Sequence, residues 1–455
     1  MSLDNLPSKA NEPIFLENTS VTHVGNLRLP TPCSVNVLLH LSPIITCRME
    51  SEHLPILLLE HYQHRPFLIT LGNGFKINVL LFYNFNDVVF KKSKNSFRGF
   101  LVPAVSPCTV AQPDTRIQSM SFSMLNFREF YGSHDKKTKV NEKSLRRLGA
   151  TKMEHHPWRI DITETPNFHE NRKILEQEDG YAVSHTGLIN RSDRETFLVS
   201  EAKNVLSGLR VFLSFVSGSA CGLTLVKAID EYDRELTLEW GTAHVEPWSQ
   251  GTKGCLPAIG GGDSISQLFP GFWCFYNDPD WKKTLCTVID WYFNSNNSFA
   301  HIGIILAQAA LESLSYKIIR KELSANKTKE LSTEKKLRKL LGIVEIDNEI
   351  PSSCKGLKDF SEQKIKQRRE KYEDCYIGDA PEAIVQIRND LVHAEKKYTP
   401  IPPEAQIDAI RLSLWYIELI LLRKFGYNGK YMNRLRIAGG DPYEYVPWVK
   451  QVSGQ

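Results

Sequence analysis

What this 455-residue chain lacks narrows the reading first. Its nine cysteines are odd in number, scattered, and form no C-x-x-C pair, so neither a disulfide framework nor a zinc knuckle is expected and a reducing compartment fits. The start, MSLDNLPSKANEPIF, has no basic segment leading into an apolar core, so no secretion signal of the usual kind is expected. No uncharged apolar run is long enough to span a bilayer; the nearest, at 301–314, carries Gln308 and Glu312. A soluble, cytoplasmic protein without membrane contact is predicted. Charge of one sign is also missing: 56 Lys and Arg against 52 Asp and Glu leave +4, too weak a bias to announce a nucleic-acid binder from totals. No fixed-period repeat and no low-complexity tract is present.

What is present is ordinary globular material, 42% hydrophobic and 24% charged, in a chain long enough for more than one core. From about Ile14 to Trp248, short runs such as VNVLLHL, LPILLLEHY, PFLITLGNG, FKINVLLFYNF, GFLVPAV, RVFLSFVSG and LTLEWG read as strands broken by turn residues. The polar segment 132–196 reads as helix or loop, an insertion or mobile surface. Gly, Ser and Pro crowd 250–270, so 251–280 is expected to be a linker or boundary loop between a β-rich domain (1–250) and an α-helical one (281–455). Helices are predicted at 281–321, 333–342, 357–375, 380–397 and 404–425, the last apolar nearly all round and therefore central to a bundle. The closing 30 residues are expected to pack irregularly. The fold class is α+β.

The chemistry concentrates in one stretch, IRNDLVHAEK at 387–396. Asp379-Ala-Pro-Glu382 is a good helix start, with a capping carboxylate and a proline where its missing N–H is harmless. Phased from there, Ile384, Ile387, Leu391 and Ala394 face the core. His393 points away, flanked by Asn389 and Asp390, with Arg388 nearer the edge about 140° from it. Arg followed by His at this spacing is weak evidence alone: about two matches are expected by chance, and three occur, the others being Arg48/His53 and Arg128/His134. Only Arg388/His393 rides a capped amphipathic helix. Upstream, ALESL sets Glu312 in an apolar helix where a carboxylate needs a partner, and Arg388 is the expected one.

RNDLVH together with the upstream ALESL helix resembles the Arg-x(4–6)-His signature of HEPN domains, small helical bundles found in many toxin and phage-defence RNases. The layout, a β-rich half followed by such a bundle and a tail ending in VPW, is similar to the ApeA family of abortive-infection proteins. The resemblance implies a metal-independent endoribonuclease that cuts tRNA or mRNA in anti-phage defence, acting as a homodimer or other even assembly and released by a phage-derived trigger. No cofactor and no metal is expected. RNA supplies its own 2′-hydroxyl as nucleophile, His393 would move the protons, and Arg388 would offset phosphorane charge. Asn389 would hold the imidazole or a phosphate oxygen, Asp390 would orient His393 or bind arginine, and Glu312 completes the catalytic set. Because one histidine cannot easily be acid and base at once, the resemblance implies two copies of the site meeting across a twofold axis.

Local charge fits an RNA partner. Residues 317–339 hold nine Lys or Arg against three Glu, and 355–371 hold seven against three acids; Lys364, Lys366, Arg368, Arg369, Lys396 and Lys397 are the candidate phosphate contacts. The rival reading is a non-catalytic HEPN-like module for oligomerisation or nucleotide binding, with the β half as receptor; a ligand-free scaffold is a third. Glu60, His61 and His64 lack the further ligand a zinc site needs. GTKGCLPAIGGGDS at 251–264 lacks phosphate-loop spacing, and SGSACG at 217–222 lacks that of a nucleophile elbow.

Overall fold

The computed structural model describes residues 9–12, 14–24, 27–40, 46–51, 66–71, 76–82, 97–102, 113–141, 144–239, 245–249, 254–323, 330–369, 378–393, 400–436 and 441–449, with side chains apart from those at 14–102, 138–145, 237–239 and 367–369. The chain divides into two units, 1–210 with 221–251 and 211–220 with 252–455. Strands come first and helices dominate later, so the mixed α/β character and its order along the chain agree with the sequence reading.

The first unit opens with a closed antiparallel barrel. Its strands β1 (Ile14–Val24), β2 (Leu27–His40), β3 (Thr46–Ser51), β4 (Pro66–Leu71), β5 (Lys76–Phe82) and β6 (Phe97–Val102) run in the order β1-β2-β3-β6-β5-β4. Pairing of Val21 with Leu71 joins β1 to β4 and leaves no free edge. LPILLLEHY, Arg48 with His53, and the Glu60, His61, His64 group lie wholly or partly outside the described residues.

A second, six-stranded antiparallel sheet follows in the order β11-β12-β13-β8-β15-β16. These are β8 (Ser119–Leu125), β11 (Ala150–His155), β12 (Trp158–Glu164), β13 (Val183–Arg191), β15 (Gly222–Ile229) and β16 (Glu235–Glu239). Short pairs β7 (Arg116–Ile117) with β14 (Phe197–Leu198), and β9 (Lys136–Asn141) with β10 (Ser144–Leu148), accompany it. Segment 132–196 is therefore mostly sheet, with one helix, α1 (Phe168–Glu178), and not an insertion. Along β12 buried and more exposed positions alternate strictly, with Trp158, Ile160, Ile162 and Glu164 inward; the many charges that suggest a loop occupy the other face.

RVFLSFVSG, a strand by its residue types, is part of helix α2 (Val199–Ser217). Val199, Ala202, Val205, Leu209, Phe212, Leu213 and Val216 are all buried, at three- and four-residue steps that outweigh the β-prone Val and Phe content. Its last turns, from Val211, belong to the second unit. There Phe212 packs against Phe269 and Phe272, and Phe215 against Tyr292 and Phe425.

The expected linker at 251–280 is also helical. Helix α3 (Gly261–Asn277) runs through it despite Pro270, because Ile265, Leu268, Phe269, Phe272, Trp273 and Tyr276 form a buried stripe. Gly271 is needed there, since a Cβ would stand 2.0 Å from the Phe425 carbonyl oxygen. The bundle continues with α4 (Pro279–Asn296), α5 (Ala300–Ile319), α6 (Thr333–Ile343), α7 (Lys355–Arg369), α8 (Ala380–Val392) and α9 (Pro403–Lys424). Helix α5 is long and apolar enough to cross a bilayer by composition, but 56% of its most apolar stretch is buried in the protein. Leu412, Tyr416, Ile417 and Leu419 to Leu422 are buried around α9, the central helix as expected. The tail is more regular than its composition suggests, forming a hairpin of β17 (Lys430–Met432) and β18 (Tyr443–Tyr445).

A buried polar network ties tail to bundle. Glu418 on α9 is fully buried, and Arg434 only 8% exposed. Arg434 grips the Glu418 carboxylate with Nη2 and with Nε at 3.1 Å. Tyr292 of α4 donates to Glu418 at 2.5 Å, and Arg434 Nη1 donates to Asn296 at 3.2 Å. Each charge is costly alone and tolerable only as a set. Arg434→Met is expected to lower unfolding free energy by about 3–5 kcal/mol in denaturant titrations, because it strands Glu418. A loss within error of zero would contradict this account of the pair.

Two buried titratable groups in the first unit oppose one another with pH. Glu164 and His185 are register partners across β12 and β13. Burial, with Glu129 and Asp135 nearby, raises the Glu164 carboxyl to about 7. Burial lowers the imidazole of His185 to about 3, among the rings of Phe127, Phe130 and Phe168. When unfolded, Glu164 ionises from its ordinary 4.5 upward while the folded group stays protonated to about 7, so stability is lost as pH rises through that window. Unfolded His185 takes up its proton below 6.5 while the folded ring resists to about 3, so stability is lost as pH falls. Glu164→Gln should therefore gain melting temperature relative to the parent between about pH 5 and 8. Parallel melting curves across that range would contradict the assignment.

Candidate active site

The site is built from the start of α8. Asp379 caps it, accepting from the Glu382 N–H at 3.1 Å, with Pro381 in the first turn. The same carboxylate takes a two-pronged pair from Arg338 of α6, Nε at 2.6 Å and Nη2 at 3.0 Å. Its negative charge raises the Arg338 guanidinium above the usual arginine range. The Ala380 N–H is held by the Asn348 carbonyl at 2.9 Å. Thus anchored, α8 buries Ala380, Ala383, Ile384 and Ile387 completely. Leu391 is half-buried, and Ala394 lies outside the described residues.

The helix ends sooner than its pattern suggests. His393 is not on it but caps it, with φ −97 and ψ 100, its N–H returning to the Asn389 carbonyl. Extended backbone uncouples the side chain from helical phase, so the 140° separation from Arg388 no longer applies. The imidazole is exposed, beside an exposed Val392. Arg388 is half-buried, and its Nη1 donates to Asn389 Oδ1 at 3.2 Å. Asn389 therefore serves the guanidinium; no contact between it and the imidazole is seen among the described residues.

Among the described residues, Asp390 neither orients His393 nor binds an arginine. It accepts from Gln386 at 2.5 Å and pairs with Lys364 of α7 at 2.8 Å, an ion pair whose side chains are 12% and 17% exposed. Lys364 also lies over the Phe360 ring at 5.3 Å. This ammonium is committed to a carboxylate, so it is a tie between α7 and α8 and not a free phosphate contact. Lys366 is exposed and open to a ligand. Arg368 and Arg369 are on α7, but their side chains, like Lys396 and Lys397 altogether, lie outside the described residues. Glu312, half-buried on α5, accepts from Thr333 of α6 at 3.2 Å, and no ion pair joins it to Arg388 among the described residues. The start of α6 supplies that hydroxyl, a tertiary contact that spacing along one helix does not reveal.

Three groups escape a reading of the sequence. Arg338 shows there only as part of a basic run, because its partner Asp379 lies far along the chain and only the fold brings them together. Gln386 sits four residues before Asp390, a spacing that signals a side-chain hydrogen bond. Gln308 is 2% exposed, with both amide atoms lacking a partner among the described residues; nothing local marks it. Cys221 is buried, and its thiol is pushed up to about 12 by that burial, as expected of a packing residue and not a nucleophile. Among the described residues, no three His, Cys, Asp or Glu side chains converge as metal ligands do.

Comparison with known proteins adds that residues 112–251 match the family described as YopA central domain, and residues 278–444 the one described as YopA C-terminal domain. The chain is 26% identical over 393 residues, 83% of its length and 82% of the relative's, to the SPbeta prophage-derived uncharacterized protein YopA of Bacillus subtilis (strain 168). No solved structure matches.

The double duty of Asp379 is testable. Asp379→Ala removes cap and ion pair together and is expected to cost about 2–4 kcal/mol, with faster amide exchange along 380–392. Asp379→Asn keeps the cap and should cost clearly less. Equal losses for both would show that the cap contributes nothing.

Proposed function

We propose that this chain is a metal-independent endoribonuclease of the HEPN type, similar in layout to ApeA-like abortive-infection proteins, with Arg388 and His393 as its reacting pair. The observation that carries the reading is the exposed imidazole at the tip of α8, five positions after a guanidinium held on the same helix. An exposed imidazole can both accept and donate a proton. A guanidinium with one N–H on Asn389 keeps its other donors for phosphate oxygens.

In this mechanism His393 takes the proton of the 2′-hydroxyl, the oxygen attacks phosphorus in line, and the 5′-oxygen leaves with a proton returned by the second copy's site. The products are a 2′,3′-cyclic phosphate and a 5′-hydroxyl. Arg388 offsets the phosphorane's charge; Asn389 aims Arg388, while Asp390 and Lys364 hold α8 against α7. Glu312 acts at a distance, through its contact with α6. The β-rich unit serves as sensor or restraint for a phage-derived trigger, and the cytoplasm is the setting where tRNA or mRNA is met. A prophage origin of the YopA relative fits a role in conflict between phages and their host.

Induced in bacterial cells, the wild-type chain is expected to arrest growth and leave RNA fragments with cyclic phosphate ends. His393→Ala should reduce cutting by roughly 10²-fold or more, and Arg388→Ala should also relieve the arrest. Intact RNA during arrest, or equal cutting by the His393→Ala protein, would refute the nuclease reading and favour the non-catalytic module.

A further inference from the structure

The far ends of α5 and α9 collect cations that form no ion pair among the described residues. Lys317 lies in the last turn of α5, with Arg320 and Lys321 just beyond; Lys424 closes α9. The ammonium groups of Lys317 and Lys321 stand 5.7 and 5.6 Å from the centroid of the same ring, Trp281 of α4. Arg320 lies over Tyr316 at 5.8 Å and donates to its hydroxyl at 3.4 Å. Lys424 is half-buried, and burial together with the charge of Lys321 holds it below the usual lysine range, with Glu322 opposing.

The other charges at this end are spoken for. Glu322 pairs with Lys339 at 3.5 Å, and Arg423 with Glu345 at 2.8 Å. Lys282 and Lys283 of α4 are matched in number by Asp278 and Asp280 in the same turn. Among the described residues, Lys317, Arg320, Lys321 and Lys424 make no ion pair. Cations at helix C-termini commonly offset the helix dipole, but each terminus carries only about half a negative charge. Two termini therefore leave a surplus of roughly three positive charges. Cation–ring contacts position such groups without neutralising them.

We propose that this end of the bundle binds single-stranded nucleic acid, the four cations taking successive backbone phosphates and the exposed ring of Tyr316 taking a base. Cations interleaved with an accessible aromatic ring are how sequence-tolerant strands are held. The most exposed apolar side chains near α5, its N-cap Phe299 and Ile302, lie at its opposite end, so among the described residues this surface has no apolar patch with which to enter a lipid bilayer. The inference does not depend on the chemistry of Arg388 and His393.

Binding is measured on the full-length His393→Ala protein, so that cleavage does not enter, by fluorescence anisotropy with a labelled RNA of about 12 nucleotides. Lys317→Glu/Lys321→Glu is expected to weaken binding roughly tenfold or more and to reduce the salt slope by about two. Tyr316→Ala should weaken it by about tenfold with the slope kept. Lys173→Glu, an exposed reversal in the other unit, should change neither, and circular dichroism melts confirm that each variant folds. Unchanged affinity and slope in the double variant would overturn the proposal. So would equal weakening with inorganic polyphosphate or acidic vesicles alongside no effect of Tyr316→Ala, the result expected of a general anion surface.

Discussion

One carboxylate sets the geometry on which the candidate site depends. Asp379 caps α8 and receives both prongs of Arg338. A cap alone would start the helix but leave it free to roll against its neighbours. The Arg338 pair adds a direction, since a guanidinium fork accepts a carboxylate in only a narrow range of orientations. With the start fixed and Ile384 and Ile387 buried, the faces of the next two turns are determined. Lys364 then closes on Asp390 near the far end, so α8 is held at both ends by ion pairs to different helices.

The same economy appears at the tail. The Glu418, Arg434 and Tyr292 set commits the residues after α9 to the bundle, and Trp415 reaches the hairpin through the Tyr431 hydroxyl at 3.0 Å. Rigid support of this sort matters to a surface site. An exposed imidazole gains nothing from packing, and its position is only as good as the helix that carries it.

Much of this is legible in the sequence and some is not, for reasons that lie in particular residues. The start of α8 can be read because Asp379, Pro381 and Glu382 are local signals of helix initiation. Its end cannot, because no glycine or proline marks it and the apolar spacing runs on past His393. Helix α2 passes for a strand because a short window of Val, Phe and Leu satisfies both periods, and only the longer span from Val199 separates them. Helix α3 passes for a linker when Gly and Pro are weighed more heavily than the stripe from Ile265 to Tyr276. In the site, residue types are visible but partners are not. Arg388 turns to its neighbour Asn389, and Glu312 to Thr333 on another helix, contacts that depend on how side chains and helices are stacked. The barrel is visible only as β content, since closure depends on which strands pair.

The proposed reaction is attack on the adjoining phosphate by a 2′-hydroxyl that His393 activates while Arg388 offsets the charge. It is tested most directly with an RNA oligonucleotide carrying a single 2′-deoxy sugar at the mapped cut, followed by phosphorus NMR of the products. The expected result is a cyclic phosphate resonance from the all-ribose strand and no cleavage at the deoxy position. Cleavage of the deoxy strand at an undiminished rate would mean that water or another nucleophile does the work, and the assignment of Arg388 and His393 to this chemistry would be withdrawn.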